Sequence, residues 1–252
     1  AIANCLDREA LRARALGDWG QLWPSFLPPD GSQLPPDANL TDNPEQGAAA
    51  LEAAGWLDTD GVATTPRVAV NAPGISAGTA FQLELLVDNT QFQQDMGGIV
   101  QENLARCGIE VTIQTLRSEA LYAPGPEGPL FGRRFDLALI AWRPDPLLDC
   151  RFYLDQAIPS SDNQWVGTNI AGLAQTSYDQ ACATAGLALG EERAPAIQEA
   201  ELAFLNNLPA IPLFSQPKVM IFSPALCVED GLTMGKGLFN GVKHLTGDKN
   251  CP

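Results

Sequence analysis

The chain has 252 residues, 45% of them hydrophobic and 18% charged, which is apolar enough for one large domain or two small ones and excludes intrinsic disorder. Fifteen Lys and Arg against thirty Asp and Glu give a net charge of −15. That balance argues against nucleic acid or an anionic membrane surface as a partner, since both need clustered positive charge, and it reads as a solvated acidic exterior. The 23 Gly and 20 Pro show no period, so collagen-like sequence is excluded and many ordered loops are expected. No stretch reaches the roughly 18 uninterrupted apolar residues of a membrane span, and no charged-then-apolar signal segment opens the chain.

The sequence opens on AIANCLDREALRARAL, a helix over residues 2–16 already in full course, as expected of a cut inside a longer protein. A proline-rich stretch between Trp23 and Pro44 cannot be regular structure. Asn43 then caps a short helix with Pro44 at its first position and Gly55 at its end. Residues 81–87 alternate as a strand. Met96, Ile99, Val100, Leu104 and Cys107 recur at helical spacing until Gly108, and residues 109–114 alternate again. The apolar run 135–142 reads as a strand covered on both faces. Strand, helix, strand, loop, strand defines an α/β layer arrangement with right-handed crossovers. Beyond it, helices are predicted near 147–154, 176–188 and 191–207, followed by a strand, a turn at Gln216-Pro217 and a second strand.

Six cysteines, Cys5, Cys107, Cys150, Cys182, Cys227 and Cys251, include no CxxC pair, and His244 is the only histidine, so a zinc finger or redox motif lacks ligands. The even count leans toward disulfides in an oxidising compartment. GISAG at 74–78 matches the nucleophile-elbow spacing around Ser76, but a strand and not a helix follows it, so a flexible turn is the better reading. DTDG at 58–61 lacks the closing acid of a calcium loop and reads as an Asx turn. The glycines at 125, 128 and 132, and at 235, 237 and 241, miss the dinucleotide spacing, and no cofactor is implied. WRPDP at 142–146 places an aromatic plate and two charges at the carboxyl end of a strand, where open α/β sheets bind ligands. A Trp capping the core beside an Arg–Asp surface pair is its structural alternative.

Several segments, in order, resemble a known family. DNPEQGAAALEAAGW, FQLELLV, IVQENLARCGIEVTIQ, FGRRFDLALIAW, QWVGTNIAG with SYDQAC, and LAFLNNLPAIPLF are similar to successive motifs of the family 5 extracellular solute-binding proteins. These are the dipeptide-, oligopeptide- and nickel-binding components of ABC importers. The resemblance implies a type II periplasmic-binding-protein-like α/β fold, with residues 1–252 as the C-terminal lobe of a two-lobed receptor that closes on its ligand by a hinge. It implies no catalysis, a monomer outside the cytoplasm (extracellular or periplasmic, associated with the cell surface), a peptide or other small solute as ligand, and permease subunits of an ABC transporter as partners. Asp145 stands where peptide-binding members place the carboxylate that pairs with the peptide α-ammonium. Trp142 would wall the ligand and Trp165 would add a second plate, while Arg143 would either neutralise Asp145 or recruit an anion. The resemblance also implies a Cys150–Cys182 disulfide, which would close a loop of about 32 residues and stabilise by about 3–4 kcal/mol. For Cys5, Cys107, Cys227 and Cys251 three pairings remain open. Two rival functions are a secreted serine hydrolase using Ser76 with His244, and an acidic module that binds a partner protein.

Overall fold

The computed structural model describes residues 1–27, 31–36, 38–62, 65–141, 149–215, 227–228 and 245–246. The chain divides into two compact units, residues 1–215 and 216–252. In the second, β6 (Cys227–Val228) pairs antiparallel with β7 (Leu245–Thr246). All other elements belong to the first unit.

A short 3-10 turn over Ile2–Cys5 precedes helix α1 (Arg8–Leu16), whose N-terminus is capped by the Asp7 carboxylate accepting from the Ala10 amide at 2.8 Å. Helix α2 (Pro44–Ala53) begins as its sequence predicts, with the Asn43 side chain accepting from the Gln46 amide and Pro44 at the first turn. It ends at Gly55, whose φ of 90° is open to glycine, and an added Cβ there would lie 2.4 Å from the Asn71 carbonyl carbon. Strands β1 (Trp56–Leu57) and β2 (Val68–Ala69) form a small antiparallel pair. Between them the buried Arg67 donates to the Cys107 and Trp56 carbonyls and to Glu52.

The centre of the unit is a three-stranded parallel sheet in the order β4-β3-β5. Strand β3 (Gln82–Asp88) leads through helix α3 (Gln91–Ala105) to β4 (Glu110–Leu116), with Leu83 opposite Val111 and Leu85 opposite Ile113. Period-two alternation sends Leu85 and Val87 against Met96, Val100 and Leu104 of α3. Leu86 points the other way, against Leu121, Leu130 and Ile170. The central strand is thus covered on both faces, as its apolar run demands. A short helix α4 (Ser118–Leu121) follows β4.

Strand β5 pairs through Leu137–Ala138, with the Leu139 amide donating to the Leu86 carbonyl at 2.9 Å, and is shorter than the predicted run over 135–142. At its amino end the pairing stops at Asp136, whose carboxylate accepts from the Glu84 amide at 2.9 Å and so takes the place of a ladder carbonyl. A 3-10 turn over Asp149–Tyr153 stands where a helix near 147–154 was expected. Helices α5 (Thr176–Leu187) and α6 (Arg193–Asn207) form the predicted pair and bury Tyr178, Cys182, Ile197 and Phe204 in a separate core with Leu27 and Tyr153. The strand expected from Ala210 is instead an extended segment that packs Ile211, Leu213 and Phe214 against the core and pairs through a single bridge from Ser215 to Gln21, because Pro209 and Pro212 have no amide to donate to a ladder. The second strand of that expectation lies outside the described residues.

Two disulfides fasten the unit. Cys150 is bonded to Cys182, and Cys5 to Cys107, which settles one of the open pairings.

Candidate functional site at the carboxyl edge of the sheet

In a parallel sheet all strands point their carboxyl ends to one edge, and the loops leaving neighbouring strands in opposite directions open a crevice there. Here β3 is central: its connection runs to β4 on one side, and the chain then crosses to β5 on the other. The residues that leave these strands therefore define the site.

Asp88 ends β3, and its carboxylate accepts from both the amide and the hydroxyl of Thr90. Thr90 in turn caps α3 by accepting from the Gln93 amide at 3.3 Å. Phe92, in the first turn of that helix, is partly exposed. Beyond β4, Tyr122 directly follows helix α4 and is 42% exposed. Burial of the rest of the ring, and then the charge of Asp88, hold its hydroxyl pKa above the ordinary tyrosine value. Sequence patterning did not single out Asp88 or Tyr122. They are 34 positions apart, and only the parallel pairing of β3 with β4 brings their loops to one edge.

Trp165 also comes to this region. Its half-buried ring lies on Gly125, in the stretch that leaves the carboxyl end of β4, so closely that a Cβ at Gly125 would sit 2.7 Å from Trp165 Cε3. Trp165 and the preceding Gln164 both have left-handed backbones, with φ of 61° and 57°. Such conformations cost a non-glycine residue about 1–3 kcal/mol each and persist only where surrounding contacts impose them. Trp142, Arg143 and Asp145, the other predicted site residues, come four to seven positions after β5 in the chain and lie outside the described residues.

The remaining motifs carry no comparable arrangement. Ser76 is exposed in a turn between Gly74 and Gly78, both left-handed, and β3 follows it, so the strand–turn–helix of a nucleophile elbow is missing. His244 lies outside the described residues. Asp58 and Asp60 spend their oxygens on the amides of Gly61 and Val62 and on the Thr65 hydroxyl, as an Asx turn does. Among the described residues no group of three or more His, Cys, Asp or Glu is placed to hold a metal ion, and no helix is long and apolar enough to cross a membrane. Two open grooves of about 270 Å³ lie elsewhere, one beside the end of α2 and the other at the amino end of β4.

The fold is that of the periplasmic binding proteins. The chain superposes on the oligopeptide-binding protein of Thermus thermophilus complexed with a pentapeptide, with a TM-score of 0.71 and 20% identity over 85% of this chain and 36% of that one. AppA of Bacillus subtilis, in complex with a nonapeptide, gives 0.67 and 20% over 85% and 40%. NikZ of Campylobacter jejuni, in complex with Ni(L-His), gives 0.67 and 18% over 85% and 40%. The chain thus spans 36–40% of the length of these structures, the extent of one lobe. Residues 1–164 match the model of the bacterial extracellular solute-binding proteins, family 5, middle part, and the chain belongs to that family. No curated protein sequence matches it.

Proposed function

We propose that residues 1–252 are the C-terminal lobe of a two-lobed receptor. It captures a peptide-like or similar small solute outside the cytoplasm and hands it to the permease subunits of an ABC importer, without catalysis. The observation that carries this reading is the placement of Asp88 and Tyr122 at the carboxyl edge of the sheet, with Trp165 packed on Gly125 three positions beyond Tyr122. Membership of family 5 and the fold shared with peptide- and nickel-complex-bound structures support it. One lobe supplies one wall, and closure of a second lobe over it would exclude water and strengthen every polar contact with the solute.

On this reading Asp145 takes the α-ammonium of a peptide in a charge-assisted pair, with Trp142 and Trp165 as flat apolar walls. Arg143 tunes the local charge by pairing with Asp145 or with an anionic end of the solute. The receptor works as a monomer at the cell surface.

Native mass spectrometry of the complete parent protein, purified from its host without added ligand, tests the reading. An adduct that disappears on denaturation and has the mass of a short peptide or other small solute is the expected result. A bare protein that also ignores a pooled peptide library would overturn the peptide assignment.

A further inference from the structure

The left-handed pair Gln164–Trp165 sits in a loop braced by one fully buried side chain. Asn169 is 0% exposed, and its carboxamide makes five hydrogen bonds. The two hydrogens of the amide group are shared among the carbonyls of Tyr153, Leu154 and Leu173, at 3.0, 2.9 and 2.8 Å. The carbonyl oxygen accepts from the Gly172 and Leu173 amides at 2.9 and 3.1 Å. Its backbone amide donates to Ala157, and the neighbouring Thr168 hydroxyl donates to Phe152. Gly167 packs so closely that a Cβ would lie 2.3 Å from the Ala157 carbonyl oxygen. The carboxyl side of the loop is therefore tied to the turns over residues 152–157 that follow Cys150 of the disulfide, and Trp165 donates from its amide to the Ser160 carbonyl at 2.8 Å.

We infer that Asn169 is a positioning residue for ligand binding that acts through Trp165: by bracing the loop, it holds the indole ring against Gly125 in a ready-made orientation, so that binding need not order it. The inference rests on the receptor reading for its effect on affinity, but not for its effect on the ring. Every donor and acceptor of Asn169 is used within the loop and the turn below it, so the side chain has no capacity left to touch a solute. An aromatic wall that is already ordered spares the side-chain and loop entropy otherwise lost on association.

The test uses the complete parent protein and two readouts. The first is the 19F resonance of Trp165 in protein labelled with 5-fluorotryptophan, assigned by its loss in Trp165→Phe. Asn169→Ser is expected to shift and broaden it, and an unchanged resonance would overturn the inference. The second is a double-mutant cycle of affinity for a pool of random pentapeptides with free α-ammonium groups. Asn169→Ser is expected to weaken binding about tenfold alone and less than twofold in a Trp165→Ala background. Equal losses in both backgrounds would mean a general structural role and would overturn it. Should Asn169→Ser fail to fold, Asn169→Gln, which keeps an amide donor and acceptor but displaces them by one methylene, carries the same measurements. A parent protein that ignores the pool while its Trp165 resonance responds would overturn the peptide reading and leave the positioning role standing.

Discussion

Gly47 of helix α2 lies directly against the Cys5–Cys107 disulfide: a methyl group at Gly47 would stand 2.4 Å from Cys5 Sγ and 3.1 Å from Cys107 Sγ. The bond thus passes where the helix has no side chain, and it closes 102 positions of sequence between the first turn of the chain and the end of α3. Gly47→Ala is expected to lower stability by about 1–3 kcal/mol through overpacking, despite the better helix propensity of alanine. Thermal melting checks it. The loss should shrink in the Cys5→Ala, Cys107→Ala background, where the sulfurs are gone, and a loss of the same size there would refute the steric account.

The two bonds leave Cys227 and Cys251 without another partner of their kind among the six cysteines. A third disulfide between these two is therefore expected. A tryptic map under non-reducing conditions should yield a peptide pair containing both, which separates on reduction. Alkylation of either thiol before reduction would contradict the expectation.

How much of this could be read from the sequence depended on how locally each feature is determined. Asn43 with Pro44, and Gly55 and Gly108 as helix stops, act within one turn of their own residue, and each was legible. The alternation of β3 and β4 was equally plain, since period two is a property of consecutive residues. The curtailed β5 was not, because the side chain of Asp136 competes for a ladder amide 52 positions away. The buried polar residues were invisible for the same reason. Arg8 donates to the carbonyls of Trp23 and Leu40, groups with no side-chain signature, and burial lowers its pKa to about 10. Of the predicted site, Trp165 is the part whose surroundings the structure supplies, while Asp88 and Tyr122 emerged only once strand order was known.

Glu201 offers a sharper test of that buried polar framework. It is 0% exposed in α6, and it accepts from the Ser25 and Ser32 hydroxyls at 2.5 and 2.6 Å and from the Gln33 amide at 2.7 Å. One carboxylate thereby ties the proline-rich segment to the α5–α6 core, 168–176 positions away. Glu201→Ala would strand three donors, and a cost of about 2–4 kcal/mol is expected. Hydrogen exchange should show the Gln33 amide losing protection in this variant well below global unfolding. Protection of Gln33 equal to that of the unaltered protein would mean that the carboxylate does not hold the segment.

The Asp88–Tyr122 proximity makes a prediction about pH. Burial first, and the Asp88 charge second, raise the tyrosine pKa above its ordinary value. Asp88→Asn removes the second cause, so Tyr122 should ionise at lower pH than in the unaltered protein while staying above an exposed tyrosine. Ultraviolet titration of the phenolate reads this, with Tyr122→Phe identifying its contribution among the three tyrosines. Linkage fixes the sign for stability. Because the folded pKa is raised, the unfolded chain loses this proton first as pH rises past the ordinary tyrosine range. The folded state then holds more protons than the unfolded one, and stability falls with increasing pH through that window. Tyr122→Phe should flatten this part of the pH profile, and Asp88→Asn should flatten it in part. A Tyr122 titration that does not respond to Asp88→Asn would separate the two residues electrostatically and remove this pair from the candidate site.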